Sequence, residues 1–107
     1  MQRDNLFSDI PADLPAELQH CLCTGKNIRI ERIISRGQCS EPDFWYDQEE
    51  YEFVVLLSGE AGVRFEEEPH ERHLRPGDWL VIPPHCRHQV AWTATGVTSI
   101  WLAVFYR

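Results

Sequence analysis

The sequence predicts an all-β fold, a small β-barrel of seven or eight short strands preceded by one short N-terminal helix, and three observations carry that prediction. From Asn27 onward, apolar residues alternate with polar ones over short stretches, the period of a half-buried strand. Turns rich in Gly and Pro separate those stretches at regular spacing, as in a sandwich or barrel. No second helical stretch follows the first, which leaves no elements for a bundle or an alternating α/β chain.

The helix is predicted at about residues 15–23. Pro15 suits a first turn, Glu17 favours the positive helix end, and Gly25 can take the left-handed C-terminal position. Leu14, Leu18, Cys21 and Leu22 fall at i, i+4, i+7 and i+8, one apolar stripe that reads as a lid over one end of the fold. The period then changes to two. Ile28, Ile30, Arg32 and Ile34 alternate with Arg29, Glu31 and Ile33 in a strand that ends by Gly37. A compact apolar strand over 51–57 is stopped by Ser58-Gly59 and followed by an alternating strand over 61–66. A polar turn leads to a short strand over 72–74, which makes a hairpin. Pro76-Gly77-Asp78 turns the chain into a strand over 79–82, and Pro83-Pro84-His85 is a corner before a strand over 88–92. The last strand, 98–106, is apolar on both faces, so both faces should be covered. Residues 1–26 then form a helical segment packed on a barrel of residues 27–107, together one domain.

Length and charge narrow the function. A chain of 107 residues is one domain and can bury a core without disulfides. Its 43 % hydrophobic and 25 % charged residues are ordinary for a globular protein. Ten basic against 17 acidic side chains give a net charge of −7, with the basic residues scattered, so neither nucleic acid nor an anionic membrane is an expected partner. The N-terminal residues offer no apolar run of the secretory kind and no stretch is long enough to span a bilayer, so the expected compartment is the cytoplasm. In that reducing compartment Cys21, Cys23, Cys39 and Cys86 read as buried small hydrophobes for the most part; Cys-x-Cys is a poor zinc signature.

Groups able to bind a cation concentrate in residues 45–52 and 83–88, both adjoining predicted strands. Glu52 and His88 stand out. Glu52 is embedded beside Phe53, Val54, Val55, Leu56 and Leu57, where an ionised carboxylate needs a cation, a set of hydrogen bonds or a proton, unless it faces outward. His70 and His73 sit in an acidic hairpin and read as solvated, and His20 as a surface residue of the helix. Cys86 has Arg87 and imidazoles beside it that could lower its pKa, yet it lacks a defined base partner. Trp79, Trp92, Trp101, Phe53, Phe65 and Phe105 read as core at strand spacing, with a pocket for an aromatic ligand as the alternative. No phosphate loop and no Gly-x-Ser-x-Gly is present.

The run Glu52-x6-Gly59, followed after one hairpin by Gly77-x5-Pro83-x-His85-x2-His88, resembles the two motifs of the cupin superfamily, in particular its small single-domain bacterial members of RmlC-like type. The resemblance implies a double-stranded β-helix, or jelly roll. By it Glu52 and His88 inherit the role of metal ligands. This chain departs from the pattern where a histidine pair belongs: it has Trp45 and Asp47 in one spacing, or Tyr46 and Gln48 in the other. It also has His85 at a motif glycine and Trp92 at a motif asparagine.

A mixed set drawn from Glu52, His88, Asp47, Gln48 and His85 would suit a divalent metal such as iron, manganese, nickel or zinc. Tyr46, Trp45 and Phe53 are the expected pocket-lining residues. The function expected on these grounds is binding of a divalent metal and action on a small molecule. The alternative is a metal-free barrel that binds a small molecule without catalysis, and enzymatic activity stays open. A homodimer is expected through the strand over 28–35 and the last strand, which carry enough apolar surface for an edge contact.

Overall fold

A computed structural model describes residues 3–107 of the chain; Met1 and Gln2, the start of the segment expected to pack on the barrel, lie outside the described residues. Eight strands follow one another: β1 (Leu18–Gly25), β2 (Ile28–Ser35), β3 (Tyr51–Ser58), β4 (Ala61–Phe65), β5 (Arg72–Leu74), β6 (Trp79–Ile82), β7 (His88–Thr93) and β8 (Ser99–Tyr106). They form a five-stranded sheet in the order β1-β2-β8-β3-β6 and a three-stranded sheet in the order β5-β4-β7, every pairing antiparallel. Two sheets face each other across one core, the layered architecture that alternating strands require.

The expected N-terminal helix is absent among the described residues, and its sequence is largely β1. Nine residues make a marginal helix in water, because nucleation is costly and only a few hydrogen bonds follow it. The same residues gain a full antiparallel ladder with β2, from Leu18 opposite Ile34 to Gly25 opposite Ile28, with a bulge between Cys21 and Cys23. Gly25 therefore ends a strand before the two-residue hairpin turn Lys26-Asn27 and does not cap a helix. His20, expected on a helix surface, stands on β1 and accepts a hydrogen bond at Nδ1 from Arg32 Nη2 at 2.7 Å. Arg32 is buried and also donates to the carbonyls of Leu6 and Ser8, which ties the N-terminal segment across the sheet.

Alternation decides what each strand buries. On β3, Glu52, Val54 and Leu56 point inward while Tyr51, Phe53 and Val55 point outward. Leu80 and Ile82 of β6 and Trp101, Ala103 and Phe105 of β8 meet the first set across the ladder. Val63 and Phe65 of β4 and Leu74 of β5 close the core from the second sheet. Three cysteines depart from expectation: Cys21, Cys23 and Cys39 are exposed, because β1 is an edge strand and Cys39 lies in a loop. All four thiols are free.

β2 and β8 are both interior strands of the larger sheet. Their backbone groups are already paired on both sides, so the expected edge-to-edge contact through them is not available. The free edges of that sheet are β1 and β6.

Candidate functional site

The site begins where the chain passes from residue 46 to β3 and returns at the start of β7. Tyr46 forms an isolated antiparallel bridge with His88: its N–H donates to the His88 carbonyl at 2.7 Å, and the His88 N–H donates to the Tyr46 carbonyl at 3.2 Å. Directly opposed residues of an antiparallel pair face the same way, so Tyr46 and His88 both turn inward and their rings stack with centroids 5.4 Å apart. Period two then sends Gln48 inward and Trp45 and Asp47 outward. Of the two spacings the sequence left open, the structure adopts Tyr46 and Gln48.

Glu52 and His88 come together in the interior. Glu52 is 8 % and His88 5 % exposed, and His88 Nε2 lies 3.6 Å from Glu52 Oε1. Gln48 Nε2 donates to the same Oε1 at 2.8 Å. His88 Nδ1 is 2.8 Å from the Cys86 carbonyl. A carbonyl only accepts, so Nδ1 carries the proton, and in the neutral ring Nε2 presents a lone pair. Two acceptors therefore face one another across a gap too long for a hydrogen bond.

That gap opens into a cavity of about 80 Å³ between the sheets. Tyr46, Gln48, Glu52 and His88 line it, with Trp101 and Phe105 of β8 as an aromatic wall. Residues the sequence reading did not select also line it: Glu17 from the N-terminal segment, Gln19 from β1, and Glu31 and Ile33 from β2. The alternation of β2 was legible, and with it the fact that Glu31 and Ile33 share a face. Nothing local said that this face looks inward. Three carboxylates thus surround the cavity, Glu31 held also by Arg29 Nε at 2.8 Å and Glu17 also by the Ser35 hydroxyl at 3.3 Å.

The other expected site residues lie elsewhere. Asp47 and His85 are exposed and bond to each other, His85 Nδ1 to Asp47 Oδ1 at 2.8 Å, on the outside of the loop and not beside Glu52 and His88. His85 lines a separate outer cleft with Cys86, Arg87 and Glu66. Its N–H donates to the Gln48 carbonyl at 2.8 Å, which fastens the Pro83-Pro84 corner over the strip bearing Tyr46 and Gln48. Trp45 faces outward under the Arg64 guanidinium, 5.5 Å from its ring. Phe53 stacks on Trp79 on the outer face of the large sheet, with centroids 5.6 Å apart, and lines no part of the cavity. Trp79 is 60 % exposed there, and Trp92 is half-buried with its indole N–H on Glu71, so neither completes an aromatic core.

Burial is the largest cause of a shift at Tyr46 in the cavity and at Cys86 in the outer cleft. Burial, followed by the charges of Glu17 and Glu52, raises the Tyr46 phenol above its ordinary value of 10.0. The folded protein holds that proton more tightly than the unfolded chain does. Tyr46 therefore contributes stability that is intact below about pH 10 and fades as the pH rises beyond it. Denaturation series between neutral and alkaline pH should show a shallower alkaline decline for Tyr46→Phe than for the wild type; equal slopes would contradict it. Burial, then Glu67 and Glu68, pushes the Cys86 thiol up, the opposite of the activation that its basic neighbours suggested.

His85 has φ of 60°, left-handed backbone at the position where the motif pattern places glycine. A β-branched replacement is strained there whatever the space around it, so His85→Val should lose about 1–2 kcal/mol. Chemical denaturation should show His85→Gly staying closer to the wild type.

A two-sheet β-barrel with a partly enclosed cavity between the sheets, mostly apolar in its lining and with a few inward polar side chains, defines a class of small-molecule-binding barrels. Residues 31–105 match the family model described as a cupin domain, which covers more than half of the chain, and the chain belongs to the cupin superfamily as a small single-domain member. A protein of Ralstonia eutropha JMP134, known from its crystal structure and provisionally named a mannose-6-phosphate isomerase, is 48 % identical, with a TM-score of 0.96 over 99 % of this chain and 98 % of that one. A cupin superfamily protein of Desulfitobacterium hafniense is 19 % identical with a TM-score of 0.72 over 92 % and 84 % of the two chains. The polyketide cyclase RemF of Streptomyces resistomycificus is 16 % identical with a TM-score of 0.77 over 99 % and 79 %. The last two share the fold alone. No curated protein matches the chain.

No helix among the described residues is long and apolar enough to cross a membrane.

Proposed function

We propose that this cupin binds a small polar molecule in the cavity between its sheets, with Glu52 and His88 as the recognising pair. The observation that carries this reading is His88 Nε2, which makes no hydrogen bond and faces the Glu52 carboxylate at 3.6 Å from a side chain that is 5 % exposed. Glu52 Oε1 takes one hydrogen bond from Gln48 while the carboxylate keeps further lone pairs free, and His88 Nε2 takes none, so the arrangement is suited to a guest that supplies hydrogens to both. Gln48 and Tyr46 offer one amide and one phenol to orient it, and Trp101 and Phe105 offer apolar contact.

A divalent metal, iron, manganese, nickel or zinc, is the second reading, and it draws support from the same atoms. An Nδ1–H fixed on a backbone carbonyl is the usual arrangement behind a ligating imidazole. A metal there would be held by Glu52, His88 and the side-chain amide oxygen of Gln48. The donor set is nevertheless short of what such an ion takes. Catalytic sites supply about three protein donors, mostly imidazole or carboxylate. No group of three or more His, Cys, Asp or Glu residues placed to hold an ion is found among the described residues. Tyr46 and Gln48 stand where the motif pattern has its histidine pair, which is why the metal-free pocket is the reading put forward. Metal content by plasma mass spectrometry on protein purified without a metal-affinity tag decides between them. Near-stoichiometric metal, lost in both Glu52→Ala and His88→Ala, would establish the metal reading. Absence of metal after incubation with each ion, together with thermal stabilisation by a small molecule in the presence of a chelator, is the expected result.

The name of the Ralstonia protein suggests a sugar phosphate. Neither arginine nor lysine is among the cavity-lining residues, and three carboxylates are, so a phosphate dianion would enter against the local charge. The lining gives no support to that substrate.

The homodimer is proposed through the outer face of the five-stranded sheet. Ile28, Tyr51, Trp79 and Val81 are exposed there, beside Phe53 and Val104, on strands whose order places β8 at the centre. An apolar face centred on one strand can pack on its own copy about a two-fold axis. Light scattering at micromolar concentration should give the mass of a dimer for the wild type and a monomer for Val104→Lys; a monomeric wild type would overturn the proposal.

A further inference from the structure

We propose that the guest of the cavity is a small organic cation, a primary ammonium whose head lodges between Glu52 and His88; this rests on the small-molecule reading above. Three features of the cavity converge. Its acidic side chains are Glu17, Glu31 and Glu52, and its lining contains neither arginine nor lysine. Arg29 offsets Glu31, bonding it and Glu50 at 2.8 and 3.2 Å with its guanidinium over the Phe105 ring at 4.3 Å, and Glu17 and Glu52 have no arginine or lysine partner among the described residues.

The second feature is independent of the carboxylates. His88, 5 % exposed, directs Nε2 into the cavity with no hydrogen-bond partner. Another acceptor, Glu52 Oε1, lies 3.6 Å from it. A group with several donors and a positive charge meets both atoms at once, whereas a phosphate oxygen or a second carboxylate meets neither. An ammonium has three N–H donors: one for Glu52, one for His88 Nε2, and one left for Glu31, Glu17 or the Tyr46 oxygen. The third feature is the wall. Tyr46, Trp101 and Phe105 border the same cavity, and aromatic faces attract cations that have been taken out of water.

Size limits the guest. About 80 Å³ is the space of roughly two or three waters, enough for an ammonium and one or two carbons, with the remainder of the molecule extending toward the mouth. A bulky quaternary ammonium has no N–H for His88 and is excluded on both grounds.

The test is calorimetric titration of the purified full chain in the presence of a chelator, with ethanolamine and putrescine as cationic probes. Mannose serves as the neutral polyol, mannose 6-phosphate as the phosphate ester, and tetramethylammonium as the cation without a donor. Ethanolamine or putrescine should bind, and tetramethylammonium and mannose 6-phosphate should not. Glu52→Gln should weaken the amine by about ten- to a hundredfold, the effect of removing a hydrogen bond to a charged group. Glu31→Gln, at the wall, supplies a second test if Glu52→Gln does not fold. Asp47→Asn, whose side chain is outside the cavity, should leave affinity unchanged. Binding of mannose without binding of either amine would overturn the ammonium inference and leave the small-molecule reading standing. Binding of mannose 6-phosphate as tight as that of the amines would overturn the charge argument. Silence from every probe would overturn the ammonium inference as well, and thermal screening of a wider ligand set would then judge the broader reading.

Discussion

Gly59→Ala should lose about 3–4 kcal/mol of folding stability, which for a domain of this size lowers the melting temperature by on the order of 15–20 °C. Two penalties add. Gly59 has φ of +84°, a conformation that an L side chain adopts only with strain. A Cβ built there would lie 2.6 Å from the backbone Cα of Ser99 and 2.1 Å from its hydroxyl oxygen. Ser99 cannot withdraw: it is fully buried and is paired with Ser35 at the start of β8. Urea denaturation of the purified variant checks this, and a loss below about 1 kcal/mol would mean that the turn between β3 and β4 can relax away from β8. The motif glycine is thus explained by close approach of two strands. Gly77, with φ of +94° and no atom near its added Cβ, should show the strain alone and a smaller loss.

Trp101→Ala should lose about 3–5 kcal/mol, the cost of a large cavity in a packed core. Trp101 is 4 % exposed on β8, flanked in the ladder by Leu56 of β3 and Ile33 of β2. Those neighbours belong to two further strands of the same sheet, so they cannot collapse into the void without disturbing their own hydrogen bonds. The same indole forms a wall of the functional cavity, so its removal joins a new void to the existing one. Trp101→Phe should retain most of the stability and the aromatic face. Denaturant titration of both variants separates the outcomes: a cost for Trp101→Ala no greater than that of Trp101→Phe would show that this wall carries little of the core. Calorimetry with ethanolamine on Trp101→Phe would then report on the aromatic contact with little disturbance of the fold.

The positions of seven strands were legible in the sequence because period-two alternation and Gly/Pro turns are local signals. β1 was not. Its Leu14, Leu18, Cys21 and Leu22 satisfy a helical stripe, and Gly25 satisfies a helix cap, so local rules agreed on the wrong element. Pairing with β2 along the whole of β1 outweighed them, a tertiary gain that no nine-residue window contains. The three cysteines near the N-terminal half were misread for a related reason. Burial of Cys21 and Cys23 depends on whether β1 has a neighbour on its far side, and it has none, while Cys39 lies in the loop after β2.

The candidate site divides in the same way. Glu52 and His88 could be selected from sequence because a carboxylate in an apolar run and an imidazole after a Pro-Pro corner are costly or conspicuous where they stand. The spacing offered both Asp47 and Gln48, and only the bridge from Tyr46 to His88 chose the frame that turns Gln48 inward and leaves Asp47 to His85. Glu17, Gln19 and Glu31 gave no local signal, since each is an ordinary polar residue in its own stretch.

The sequence by itself determined which residues alternate together, where the chain must turn, and that one carboxylate and one imidazole would need partners. Tertiary structure decided which of the two faces of each strand looks inward, because period two fixes only that alternate residues share a face. The choice is made by the neighbour across the ladder. β8 between β2 and β3 brings Glu31, Phe105 and Glu52 to one interior, and β7 against residue 46 brings His88 and Tyr46 to meet them.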